Sequence, residues 1–228
     1  MAIDGLALLR LQSWLSPAFP TGGYAYSHGL EYAVEAGLVR DRAGLADWLD
    51  AVLRQGSGRL DACFLVATLR AADDAELLAV AELAAAMRGA AELGLETAAQ
   101  GAAFLATVAA AWPHSRIDHA ARLLRRAEVE PALPVAVAIA GAAHKLPERP
   151  LAAFYLQSLA ANLVQAALRL LPLGQTDGQH VLASLEQTVL AAVEDALITS
   201  PEAAGSATPM VDWCAMRHET QYTRLFRS

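Results

Sequence analysis

The chain has 228 residues, 55% of them hydrophobic, which is enough to bury a sizeable core and excludes disorder as a description of the whole. Seventeen basic residues against twenty-four acidic ones leave a net charge of −7, so no global positive field attracts nucleic acid or anionic lipid, and neither is expected as a partner. The two cysteines, Cys63 and Cys214, stand far apart without a CxxC spacing, as suits a reducing compartment, and Asp4 replaces the basic start of a signal peptide. A cytoplasmic location is expected.

Alanine and leucine dominate, and apolar residues recur at three and four rather than at two, which predicts an all-α protein. Punctuation gives a first helix near Leu6 to Leu15, a loop from Ser16 to Gly23, and a helix from Tyr24 to about Gly37. Helical stretches follow near Ala43 to Ala71, Ala75 to Met87 and Ala90 to Ala111, the last stopped by Trp112-Pro113. Asp118 to Glu128, Leu133 to His144, Leu151 to Leu171 and Gln179 to about Ile198 come next, and a loop then leads to Pro209 and the tail. With no repeat and no long linker, residues 1–228 are expected to form a single globular bundle of roughly eight to ten helices. A docking C-terminal tail occupies about 209–228.

Leu151 to Leu168 carries no charge over eighteen residues, long enough to raise the question of a membrane span. Ser158, Asn162 and Gln165 recur at i, i+4 and i+7, one hydrophilic stripe on an otherwise apolar helix, so the segment reads as the core helix of a bundle.

Catalytic signatures are missing. There is no GxxxxGK[ST] loop, so the chain is not by itself a P-loop nucleotide hydrolase, and neither Glu-x-x-His nor HExxH occurs. Three segments stand out instead. From Tyr24 onward one helical stripe holds Tyr24, Ser27, His28, Glu31 and Glu35, fit for water, a partner or a metal, and the other holds Tyr26, Leu30, Ala33 and Gly37, fit for the core. Gly22 and Gly23 before it allow close backbone approach, and His28 with Glu31 could ligate a metal, a hydrogen-bonded or solvated face being the plainer reading.

Around Pro172-Leu173-Gly174 a helix stops and restarts, and Arg169, Gln175 and Gln179 gather at the helix ends, where they could line an internal polar passage. In the tail, Trp213, Tyr222, Leu225 and Phe226 need burial to stabilise anything, which predicts docking. On a helix Arg217, Gln221, Arg224 and Ser228 would share one stripe, suited to carboxylate or phosphate partners or to an amphipathic helix closing the chain's own core. Cys214 and His218, at i and i+4, are the best-spaced metal pair but only half a tetrahedral site. A packed thiol beside a surface histidine is the alternative.

Pro20-Thr21-Gly22-Gly23-Tyr24 with Ser27, Gly29, Leu30 and Glu31, then Pro172-Leu173-Gly174-Gln175, then Arg217-His218-Glu219-Thr220-Gln221-Tyr222 with Arg224-Leu225-Phe226-Arg227-Ser228, strongly resemble the UreF family of urease accessory proteins. The terminal block is the most specific, and the alanine-rich middle contributes little. The resemblance implies an all-helical, cytoplasmic, non-enzymatic homodimer that helps insert nickel into apo-urease. It would sit between a UreD-type protein, also called UreH, and the nickel-carrying GTPase UreG, coupling GTP hydrolysis to nickel delivery. No cofactor is expected to be tightly bound, with nickel transferred or held transiently.

On this reading Arg217, His218, Glu219, Gln221, Tyr222 and Arg224 belong to the partner-binding tail. Gly22, Gly23, Tyr24, Ser27, His28 and Glu31 would form a dimer or GTPase-facing surface near it. Cys214 falls where the family usually has a small residue, which weakens it as a nickel ligand and leaves His218 the better metal candidate. An autonomous nickel-binding protein using Cys214 and His218 is the alternative function, and an unrelated small-molecule enzyme is a third.

Overall fold

The computed structural model describes residues 4–228 and is all-helical, with twelve α-helices and two short 3-10 turns among the described residues. In chain order the helices are α1 (Gly5–Trp14), α2 (Leu30–Glu35), α3 (Arg42–Gln55), α4 (Ser57–Arg70), α5 (Asp74–Ala86) and α6 (Ala91–Ala111). They continue with α7 (Ser115–Arg126), α8 (Leu133–Ala143), α9 (Glu148–Leu170), α10 (Gln175–Ser184), α11 (Glu186–Ile198) and α12 (Pro209–His218).

The expected helical class holds, but eight to ten helices is too few, for two identifiable reasons. The stretch read as Ala43 to Ala71 breaks at Gly56, where the Gln55 carbonyl accepts from Ala207 N–H at 2.6 Å instead of continuing the ladder. The helix expected from Gln179 starts earlier, at Gln175, because Asp177 Oδ2 accepts the Gly174 N–H at 3.1 Å. It then breaks at Leu185 into two pieces.

A larger departure lies between Tyr24 and Gly37. Gly23–Ala25 is a 3-10 turn, and α2 begins only at Leu30, because His28 (φ 57°) and Gly29 (φ 77°) are both left-handed. The helical stripe of Tyr24, Ser27, His28, Glu31 and Glu35 therefore does not exist as such. Gly29 is required: a Cβ there would lie 2.8 Å from Ala215 N, so glycine is what lets α2 press against α12.

One apolar cluster draws on all twelve helices. At its centre is α8, whose Pro134-Val135-Ala136-Val137-Ala138-Ile139-Ala140 run is buried on every side, as an all-round apolar helix must be. It packs on α4 and α6, and Gly101 of α6 makes the approach possible, since a Cβ there would meet Pro131 O at 2.0 Å. At one end Trp14 stands edge-on to Phe104 and Trp112, with ring centroids 6.2 and 5.8 Å apart.

Two helices, α6 and α9, are long and apolar enough to cross a membrane by length and composition. Both instead pack within the bundle, and the Ser158, Asn162 and Gln165 stripe of α9 lines a cavity.

Candidate functional site

Helix α12 packs along α2 and against α6, and the chain turns just after it, with Thr220 N–H donating to Arg217 O and Gln221 N–H to His218 O. The expected tail helix carrying Arg217, Gln221, Arg224 and Ser228 on one stripe thus ends at His218. A side chain displaces it. Glu31 Oε1 accepts Leu225 N–H at 2.6 Å and Glu31 Oε2 accepts Phe226 N–H at 2.9 Å, taking donors that a helix would have sent to its own carbonyls. Of the four apolar side chains expected to need burial only Phe226 is sunk into the body, while Trp213, Tyr222 and Leu225 are exposed. What holds the tail is carboxylate rather than a continuous amphipathic face.

Four carboxylates hold the tail, among them Glu35, whose Oε2 accepts from Gln221 Nε2. Besides Glu31, Glu92 Oε1 accepts from Arg224 Nη1 at 2.9 Å, and Glu96 Oε2 accepts from Ser228 Oγ at 2.7 Å. Ser27 adds to this, its N–H donating to Ser228 O at 2.8 Å and its hydroxyl to the same oxygen. Phe226 is buried beneath the Arg169 guanidinium, which stands 4.2 Å above the ring and donates to Tyr24 O at 2.7 Å. Arg227 N–H bonds Ala25 O at 2.8 Å, so the tail also fixes the loop that follows Gly22 and Gly23.

Behind the carboxylates lie two buried histidines. His218 is fully buried, with Nδ1 2.7 Å from Glu92 Oε2 and Nε2 3.0 Å from Glu31 Oε2. His28 places Nε2 2.7 Å from Ser57 Oγ and Nδ1 3.4 Å from Glu96 Oε2. Burial by itself pushes His28 down, but the Glu96 carboxylate outweighs it and the imidazole is raised above its usual 6.5. Deeper still, Arg88 Nη1 pairs with Asp61 Oδ1 at 2.7 Å, and the Tyr155 hydroxyl donates to Asp61 Oδ2 at 2.6 Å. Burial, followed by the Asp61 charge, holds Tyr155 well above the usual phenol range.

His28, Glu96, Asp61, Arg88 and Tyr155 line a cavity of about 530 Å³, as do Gly22, Gly23 and Tyr24, whereas His218, Glu31 and Glu92 do not. Arg169 and Gln175 line it, together with Gln100, Asn162 and Gln165. Gln179 does not, being exposed on α10.

The candidate residues divide by burial. Tyr24, Arg217, Glu219, Tyr222 and Arg224 are exposed, Gly22, Gly23 and Gln221 are partly so, and Ser27, His28, Glu31 and His218 are buried. The last four therefore cannot touch a partner while the tail is docked; they hold the tail from inside. The metal readings change for the same reason. Glu31 spends both oxygens on the tail amides and His218, His28 Nε2 is taken by Ser57 Oγ while its Nδ1 has no hydrogen-bond partner, and both ring nitrogens of His218 face carboxylates, so His218 is not the surface histidine considered beside Cys214. Burial pushes the Cys214 thiol up to about 11, away from the thiolate that metals take. Among the described residues no three His, Cys, Asp or Glu side chains are grouped to hold a metal.

Sequence reading missed Glu92, Glu96, Asp61, Arg88 and Tyr155. For α6 a signal was there: Glu92, Glu96 and Gln100 recur at every fourth position of an apolar, alanine-rich helix, an inward polar stripe like that of α9.

The UreF family model matches residues 39–186. A protein of Granulibacter bethesdensis named urease accessory protein UreF is 50% identical over 225 residues, covering 97% of this chain and 94% of its own. Proteins of the same name from Rhodopseudomonas palustris (strain HaA2) and Bradyrhizobium diazoefficiens are 49% and 47% identical, each over the whole of this chain and over 96% and 94% of their own. The chain belongs to the UreF family of urease accessory proteins, and is an accessory protein of urease maturation rather than an enzyme.

Proposed function

We propose that this chain is a cytoplasmic scaffold, acting as a homodimer, that bridges a UreD/UreH-type protein and the GTPase UreG and couples GTP hydrolysis to nickel delivery into apo-urease. The observation that carries the reading is the tail's division of labour. Phe226 and Ser228 are sunk into the body, while Tyr222 is wholly exposed and Leu225 61% exposed, with Trp213 and Met216 half-exposed on the adjoining face of α12. Aromatic and aliphatic side chains held out on a rigidly anchored segment are the anchors that interface hot spots favour. Arg217 and Glu219 flank them with charge.

Tyr24, 77% exposed and lining the cavity, sits on the loop that the tail fixes, which favours it and the neighbouring glycines as a second contact, toward the GTPase or the dimer mate. With no P-loop in the chain, GTP chemistry belongs to the partner, and nickel is cargo rather than a resident cofactor.

The test is urease activation in a nickel-supplied host carrying all the accessory genes, with this gene intact, deleted, or bearing Arg217→Ala and Tyr222→Ala. Activity lost in the deletion and in the double variant, with apo-urease still abundant and the variant folded, supports the reading. Full activity in the double variant removes the tail assignment. GTP turnover by UreG with and without this chain tests the coupling, and an unchanged rate would overturn it.

A further inference from the structure

Helix α7 carries four arginines, Arg116, Arg122, Arg125 and Arg126, against one acid, Asp118, in a chain whose net charge is −7. All four are exposed, and among the described residues none of their side chains has an ion pair or a hydrogen bond. Seven other arginines of the chain face carboxylates.

Two of the four have a local reason for their place. Arg125 and Arg126 close the helix, where its dipole favours cations. Arg116 stands at the second residue of the same helix, where the dipole opposes a cation, and Arg122 precedes two like charges by three and four residues. Neither receives a carboxylate in return.

These two are also the arginines that line a groove. A cleft of about 480 Å³ lies between α7, which contributes Arg116, His119 and Arg122, and the α4–α5 turn, which contributes Asp73 and Asp74. Its acids are already engaged: Asp73 Oδ1 accepts the Ala75 and Glu76 amides at 3.0 and 2.9 Å, and Asp74 Oδ1 lies 2.9 Å from His119 Nε2. Its apolar lining includes Leu69, Leu77 and Ala142, all partly exposed. The groove therefore offers unpaired guanidiniums beside uncovered apolar surface, a combination that a lone inorganic anion leaves half unused.

We propose that this groove docks an acidic segment of a partner polypeptide, with one carboxylate on Arg116, a second on Arg122 and an aliphatic side chain between them resting on Leu69, Leu77 and Ala142. Six residues of helical rise separate the two arginines, about 9 Å, which is the carboxylate spacing the segment must offer.

Charge selects the occupant. A guanidinium fork takes a carboxylate in two parallel hydrogen bonds. A nucleic acid or an anionic bilayer carries phosphates well past the groove, where they meet a chain of net charge −7, whereas the charges of a short segment end where the arginines do. The site stands apart from the scaffold reading above, since no residue of the tail lines it.

The test is fluorescence anisotropy of the full chain with a labelled peptide, Gly-Ser-Glu-Leu-Leu-Glu-Ser-Gly, whose two carboxylates lie about 10 Å apart when extended. Binding that disappears when both glutamates of the peptide are replaced by glutamine supports the site. No binding up to about 1 mM peptide overturns it.

Two double variants, each removing two charges from the same exposed helix, separate a site from a general field. Arg116→Gln with Arg122→Gln should weaken the peptide about tenfold, the combined worth of two bidentate pairs at a part-shielded surface, and Arg125→Gln with Arg126→Gln by less than about threefold. Equal weakening by the two variants overturns the site. Tighter binding of a short oligonucleotide or of phosphatidylserine vesicles, with the same dependence on Arg116 and Arg122, would make the face a reader of phosphate. A changed oligomeric state of the Arg116→Gln, Arg122→Gln variant in sedimentation would give the groove to a second copy of the chain, and either result overturns the proposal.

Discussion

Glu31 and His218 are 187 residues apart in the chain and 3.0 Å apart in the fold. Glu31 is thereby the carboxylate on which the two ends of the molecule meet, since it also accepts both the Leu225 and Phe226 amides. Glu31→Ala leaves the Leu225 and Phe226 amides and one ring nitrogen of His218 without their partner. The expected loss is about 3 kcal/mol, as for breaking one side of a buried charged network. A lowered urea midpoint and faster tryptic cleavage after Arg224 would register it, and a tail still resistant to trypsin would show that Phe226 and Ser228 suffice for docking.

Gly29→Ala tests the backbone that positions Glu31. The new Cβ would stand 2.8 Å from Ala215 N on a residue whose φ is +77°, so the strain is conformational and steric together. A cost of roughly 2 to 3 kcal/mol is expected, concentrated on the α2–α12 contact. Thermal unfolding together with amide hydrogen exchange of the tail measures it: a lower Tm with a loosened tail is the expected pair, and an unchanged Tm would mean that α12 slides freely.

How far the sequence showed this is clearest in α9 and α2. The stripe of Ser158, Asn162 and Gln165 lines the cavity, with Ser158 and Asn162 half-buried and Gln165 exposed, so the polar spacing marked the face but not how deep it lies. The same logic failed between Tyr24 and Gly37, where helical periodicity was imposed on a segment whose His28 and Gly29 are left-handed. That conformation is set by contacts with α4, α6 and the tail, none of them local in the chain. The tail's contact with the body was legible only at Phe226, since Trp213, Tyr222 and Leu225, expected to be buried with it, are exposed. Its anchors Glu92 and Glu96 were not picked out, because two acids in an alanine-rich stretch look like a solvated face until the helix is placed.

Cys214 lies on α12 one turn before His218, buried, with its thiol pushed up to about 11 by burial alone. At pH 8 its thiolate fraction is about a hundredfold below that of a thiol at its ordinary 9, before steric protection is counted. Native protein should therefore react with a maleimide at Cys214 far more slowly than protein in urea. Rapid native labelling, resolved by peptide mapping from Cys63, would mean that α12 lifts off the body as a unit.

Tyr222 separates an interface role from a structural one. Its ring is fully exposed and the described structure assigns its hydroxyl no hydrogen bond, so Tyr222→Ala should change stability by no more than about 0.5 kcal/mol and leave tail exchange as it was. If the anchored tail is what the UreD/UreH-type protein reads, the same substitution should weaken that complex by at least about thirtyfold, the loss expected when a central aromatic anchor is truncated. Titration calorimetry against the partner, with Glu31→Ala measured in parallel, distinguishes the cases. Loss in both variants means that the partner needs the ring and the docked geometry that presents it. Loss in Glu31→Ala alone places the contact elsewhere on the docked tail, and binding intact in both moves the interface off the tail altogether.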